Sequence, residues 1–336
     1  MIRPAFGHPR VLARDEDFRI AGYVIMFAGS LARPKSTRDL LHSLNPSRRP
    51  AAHHPPAERR LAMISTLMAC MSANRSNAEL LSVVADLAER FSATVMGVCA
   101  NQLSMHSPFL AVGPGEPRSH ELDKFRERVA IVEAEFRSAL STVNNLFWRA
   151  EITAGPTSHY LANQARAADL LVAASESDNR KVSGGSEFEV SDLIMRCGRP
   201  ILLAPPGTTG LKLKRTLVYW KDSREARRAV ADALPFLKAS HAVDVVELVS
   251  EREIEPAQAR LADVGDWLDR HGVEANCFAT PLTGAESAHL AAIAQDLNAD
   301  LIVAGAFGHS RLREWAFGGV TQDLLTRSDR CTLVSH

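Results

Sequence analysis

The stretch GAFGHSRLREWAFGGVTQ, from Gly305 to Gln322, places four glycines in eighteen residues. Gly305 and Gly308 are three apart, and Gly318 and Gly319 follow, leading into Val320 and Thr321. A phosphate group wants several backbone N–H groups converging on it with no side chain in the way. Glycine permits that close approach and the positive φ of an anion-binding nest, best placed at a helix N-terminus. GAFG would supply one turn and GGVT a second, with the Thr321 hydroxyl as a further donor. His309 and Arg311 lie between the two turns and add positive charge beside them. The spacing is neither G-x-x-x-x-G-K-[ST] nor G-x-G-x-x-G.

The elements around these residues alternate. MISTLMACMS (63–72) reads as a strand, NAELLSVVADLAERF (77–91) as an amphipathic helix and ATVMGVCA (93–100) as a strand. The polar loop 101–118 leads to the helix ELDKFRERVAIVEAEFRSAL (121–140), the strand WRAEIT (148–153) and the helix SHYLANQARA (158–167). DLLVAAS (169–175) and PILLAPP (200–206) are strands. The order then repeats: RTLVYW (215–220), helix 223–237, AVDVVELV (242–249), helix 256–271, VEANCFAT (273–280), helix 286–297, DLIVAGA (300–306) and CTLVS (331–335). Thr283 and Glu286 have the spacing of a capping box at the start of helix 286–297.

Direct alignment tests the repeat. ADLLVAAS at Ala168 and ADLIVAGA at Ala299 are 131 residues apart. The same offset, without gaps, superposes Asp192, Leu193, Arg196, Arg199 and Leu202 on Asp323, Leu324, Arg327, Arg330 and Leu333. The chain therefore reads as an internal duplication, with domains at 63–206 and 212–336 and the polar PPGTTGLKLK (205–214) as the joint. Strand–helix alternation with near-continuous apolar strands implies an α/β fold, two tandem five-stranded parallel sheets covered by helices in a Rossmann-like sandwich. Ligands of such sheets bind beyond the carboxyl ends of the strands, where strand order reverses. Gly305 lies at such an end.

Composition narrows the function. The 336 residues are 46% hydrophobic and 23% charged, with no net charge. Residues 1–62 carry 11 Lys+Arg against 5 Asp+Glu, and the remainder carries 28 against 34. The main body is thus mildly acidic, which argues against nucleic acid as a partner. No apolar run reaches the ~20 residues of a membrane span. Five scattered cysteines show no C-x-x-C or zinc-ligand spacing, as expected of a cytoplasmic protein without a structural metal. Residues 1–62, rich in Arg, Pro, His and Ser, are expected to be a disordered basic extension or the product of a mis-assigned start. No nucleophile elbow G-x-S-x-G and no H-E-x-x-H occurs, so no catalytic residue is assigned. SGGS (183–186) follows the fourth strand rather than the first, unlike the phosphate loop of PP-loop pyrophosphatases. Trp220 and Trp315 are expected as packing residues.

The motif and its flanks, ADLIVAGAFGHSRLREWAFGGVTQ, resemble the universal stress protein family over residues 63–336, as two tandem copies. ATP-binding members carry G-x₂-G-x₉-G-[ST] after the fourth strand. Gly305, Gly308 and Gly318 match it, with Gly319 in the Ser/Thr position. The resemblance implies ATP as the candidate ligand of the second copy, held by Gly305, Gly308, His309, Arg311, Gly318, Gly319, Val320 and Thr321. ATP-binding members have an Asp at the end of the first strand, where this chain has Lys221 in one copy and Ser72 in the other. Lys221 would approach phosphate or mark lost adenine binding. In the first copy Ala174, Ser177 and Glu187 replace the glycines, so that copy is expected to be nucleotide-free. The overall expectation is a non-catalytic stress-response module sensing adenine nucleotide and acting through protein partners not identifiable from sequence. The two copies should pack as an intramolecular pseudo-dimer through PILLAPP and CTLVSH, with homodimerisation as a further expectation. A ligand-free interaction scaffold and a slow ATPase are the alternatives.

Overall fold

The computed structural model describes residues 64–102, 116–175, 189–306, 323–325 and 328–336. All of them fall in one of two units into which the chain divides, Arg59–His336. The N-terminal extension and the loop 103–115 lie outside the described residues.

The first half runs β1 (Thr66–Met71), α1 (Ala78–Phe91), β2 (Thr94–Gln102), α2 (Glu116–Ala139), β3 (Leu146–Thr153), α3 (Thr157–Gln164), β4 (Leu170–Ala174), α4 (Val190–Cys197) and β5 (Ile201–Ala204). The second runs β6 (Arg215–Trp220), α5 (Arg224–Ala239), β7 (Ala242–Val249), α6 (Ile254–Arg270), β8 (Asn276–Pro281), α7 (Glu286–Asp296), β9 (Leu301–Gly305) and β10 (Cys331–Ser335). Residues 323–325, within the helix expected after the glycine loops, are helical. The strand boundaries follow the apolar runs because parallel strands covered on both sides must be apolar on both faces.

One ten-stranded sheet results, in the order β3-β2-β1-β4-β5-β10-β9-β6-β7-β8. Each half is a parallel five-stranded unit with its first strand at the centre and its order reversing beside it. The two halves join their strands at β5 and β10, which pair antiparallel with Leu202 opposite Leu333. Thr332 faces Leu203 and Val334 faces Ile201. Under the 131-residue offset each of these pairs converts into the other, so a pseudo-two-fold axis passes through Leu202 and Leu333. That is the geometry of an isologous contact.

The halves also repeat their polar anchors. Asp169 Oδ2 accepts the N–H groups of Ser65 (2.9 Å) and Thr66 (3.0 Å) at the start of β1. Asp300 Oδ2 does the same for Lys214 (2.8 Å) and Arg215 (3.1 Å) at the start of β6. These carboxylates pin each central strand to the start of its neighbour. Replacing Asp300 with alanine should cost about 2 kcal/mol in urea denaturation, and Asp169→Ala about as much, since each carboxylate serves two N–H groups.

On one face a continuous apolar cluster spans both halves, with α1, α2, α5 and α6 packed over the sheet. Phe91 of α1 and Phe236 of α5 meet edge to face across the halves, ring centroids 5.4 Å apart. The other face has two separate clusters, one under α3 and α4 and one under α7. The joint 205–214, read from sequence as merely polar, is strapped along α1. Gly207 N–H binds Glu79 (2.9 Å), Leu211 N–H binds Asp86 (2.9 Å), and Arg90 binds the Leu211 carbonyl (3.0 Å). Leu211 and Leu213 are buried beneath it.

Candidate functional site at the carboxyl ends of the second half

Of the nine residues assigned to a ligand from sequence, Gly305 and Lys221 are described. Gly308, His309, Arg311, Gly318, Gly319, Val320 and Thr321 lie outside the described residues, as do SGGS and Trp315. The two described residues flank the switch point of the second half, where β6 and β9 are neighbours.

Gly305 closes β9 against the N-terminus of α5. A Cβ at this position would lie 2.5 Å from Ala226 N and 2.6 Å from Glu225 C. The glycine is required by the close approach of helix backbone to strand end. Ser223 caps the helix, its hydroxyl accepting the Ala226 N–H at 3.2 Å. The next residue into the helix, Glu225, is buried, and the Arg224 guanidinium binds its carboxylate at 2.5 Å. Burial opposes ionisation of Glu225, but the hydrogen bonds from Arg224, its own N–H and Ser223 outweigh it and hold its pKa below the usual range.

Lys221 follows β6. Its ammonium lies 2.6 Å from Glu286 Oε1 and 5.6 Å from the centre of the Tyr219 ring. The Tyr219 hydroxyl donates to the same Glu286 carboxylate. Burial, then the bond to Glu286, pushes the Tyr219 pKa up, so its hydroxyl stays protonated and remains a donor. This cluster corrects the capping-box reading. Ala285 is the N-cap of α7 without a side-chain bond, and Glu286 turns to Tyr219 and Lys221 instead. Thr283 faces His289, whose Nδ1 is 3.2 Å from the Thr283 N–H. A short-range motif lost here to two stronger partners across the sheet edge, and the period-two pattern that puts Tyr219 on the α7 face was the signal available.

The first half has closed the corresponding loop on itself. Ser72 Oγ accepts the N–H groups of Asn74 (3.1 Å) and Arg75 (3.0 Å), and the Asn77 amide binds the Ser72 N–H (2.8 Å) and carbonyl (3.0 Å). Ala174 ends β4 where Gly305 ends β9.

Ser158, His159 and Asp192 come together in the first half, but in the wrong order for a nucleophile. Ser158 Oγ donates to Asp192 Oδ2 at 2.5 Å, and His159 Nε2 lies 3.7 Å from that same oxygen. The serine proton therefore faces a carboxylate rather than an imidazole. Burial opposes Asp192 ionisation, yet Ser158 and Arg196 hold its pKa below the usual value. Burial pushes the Cys277 and Cys331 thiols up to about 11. Among the described residues there is no group of three or more His, Cys, Asp or Glu side chains placed to hold a metal. No helix among them is long and apolar enough to cross a membrane.

The sheet order and the crossover helices define an α/β protein of the Rossmann-like class, with the strand order reversing beside the central strand of each half. Residues 212–336 match the family model of the Universal stress protein family. The sequence likeness to that family thus lies in the second half. Solved structures share this fold over most of the chain. A universal stress protein from Archaeoglobus fulgidus DSM 4304 superposes with a TM-score of 0.65 at 15% identity, covering 80% of this chain and 97% of that one. A functionally unknown protein from Pseudomonas aeruginosa PAO1 gives 0.51 at 13% identity, covering 82% and 92%. None of the curated proteins compared with the chain matches it.

Proposed function

We propose that the chain is a cytoplasmic, non-catalytic stress-response module of tandem construction, whose second half binds an adenine nucleotide and whose first half serves as scaffold. The observation that carries this reading is Gly305. It stands at the switch point, at the carboxyl end of β9 and pressed against the α5 N-terminus, in the half that matches the family model. A phosphate arriving there would meet backbone N–H groups of a helix start, which favours anions. The fused halves, joined at β5 and β10, take the place of a two-chain dimer. Nucleotide binding would order the glycine loops and shift the population of a partner-binding surface.

Calorimetric titration of the purified full-length protein with Mg-ATP tests the reading. Heat of binding with a thermal shift is expected; Gly308→Val or Gly318→Glu should remove both, while Glu187→Gly in the first half should change neither. Silence at millimolar nucleotide would favour the second reading, a ligand-free interaction scaffold. The specific observation behind that alternative is the engagement of Lys221 by Glu286 at the mouth of the crevice.

A further inference from the structure

We infer that Trp220, Glu247 and Arg260 form a hydroxyl-binding subsite at the carboxyl ends of β6 and β7, suited to the sugar diol of a nucleoside. The inference rests on the reading that the second half binds a nucleotide.

Trp220 and Glu247 are directly paired positions of adjacent parallel strands. Glu247 is two residues beyond Val245, so both point to the face covered by α5 and α6. Each is only 5% exposed. A buried carboxylate costs several kcal/mol unless its oxygens are satisfied; on the same strand buried Asp244 has Arg215 at 3.3 Å. Arg260 of α6 satisfies one, its Nη2 donating to Glu247 Oε1 at 2.8 Å. Three buried atoms nearby are left without a protein partner: Trp220 Nε1, Glu247 Oε2 and Arg260 Nε. Buried indole N–H groups usually find an acceptor, and buried carboxylate oxygens a donor.

The unmet groups select a chemistry. Trp220 and Arg260 offer N–H donors, and Glu247 offers an acceptor. A hydroxyl gives one hydrogen bond and accepts others, so it satisfies both kinds at once. A phosphate would face the Glu247 carboxylate with like charge, and an ammonium could not accept from the indole. A carboxylate near the end of the second strand of a parallel α/β unit is also where dinucleotide-binding folds hold a ribose hydroxyl. β7 is the second strand of its half.

The first half supplies the control. Its equivalent paired positions, at the end of β1 and beside it on β2, are Met71 and Cys99, both buried. The same fold thus forms with an apolar pair at this place, and the polar trio accompanies the half that retains the glycines.

The experiment compares Mg-ATP with Mg-2′,3′-dideoxy-ATP by calorimetry on the full-length wild type, on Glu247→Gln and on Trp220→Phe, with melting curves taken alongside. Wild type should bind ATP about tenfold more tightly than the dideoxy nucleotide. Both variants should lose most of that preference while remaining folded, because each removes one partner of the hydroxyl. Equal wild-type affinity for the two nucleotides, or an unchanged preference in both variants, overturns the subsite and leaves nucleotide binding standing. A variant that weakens both nucleotides by the same factor assigns a structural role and likewise overturns it. Binding of neither nucleotide by wild type overturns the nucleotide reading and the subsite with it.

Discussion

Gly305→Ala is expected to lower the stability of the protein by about 3 kcal/mol, read as a fall in the urea midpoint with little change in slope. The added methyl would meet backbone rather than a side chain that can rotate away, at 2.5 Å from Ala226 N and 2.6 Å from Glu225 C. Neither partner yields easily. β9 is hydrogen-bonded on one side to β6 and on the other to β10, so its end cannot shift without disturbing two ladders. The first turn of α5 is fixed by the Ser223 cap and by Ala226 and Ala229, buried against the sheet behind it. The reverse change at the equivalent position, Ala174→Gly, should stay within about 1 kcal/mol, as expected for losing a methyl and stiffening from a strand end. A Gly305→Ala protein as stable as wild type would mean that α5 does not approach β9 as described.

Leu333→Asp should be more damaging still, by about 5 kcal/mol, because it places an unpaired carboxylate in a fully buried site. Leu333 faces Leu202 on the pseudo-two-fold axis, and among the described residues β5 and β10 provide the sole strand pairing between the halves. Leu202→Asp should therefore have nearly the same effect. Both variants should lose structure in the two halves together, since the apolar cluster carrying Phe91 and Phe236 crosses the seam. Hydrogen exchange followed by mass spectrometry would show this as loss of protection in β1 and β6 alike. Retained protection in one half would show that each half folds without the other.

The fold was largely legible because its signals are local and repeated. Runs such as TLMACM and LIVAG are apolar on both faces, and the gapless 131-residue offset carries Asp169 onto Asp300 as well as Leu202 onto Leu333. The Ser223 cap is likewise written in the sequence before α5. What could not be read locally was decided by partners distant in sequence. Glu286 has capping-box spacing to Thr283, but Tyr219 and Lys221, more than sixty residues earlier, claim it. Gly305 reads in sequence as part of a phosphate-cradling turn, and only the fold shows that the approach of the α5 backbone requires a glycine there. Glu247 drew no notice in sequence, because only the sheet register sets it beside Trp220.

The antiparallel contact of Leu202 with Leu333 carries a consequence for how such a protein can change. When two identical chains meet about a true two-fold axis, every substitution is made twice, and a change harmful in one copy is forced on both. Here the two members of each symmetric pair are encoded separately. Ala174 against Gly305, Ser72 against Lys221 and Cys99 against Glu247 are differences that a symmetric assembly could not hold. The covalent link also fixes the pairing at one to one at any abundance, since the second half is always present at high effective concentration. Division of labour between the halves needs no second gene and no selective recognition between subunits.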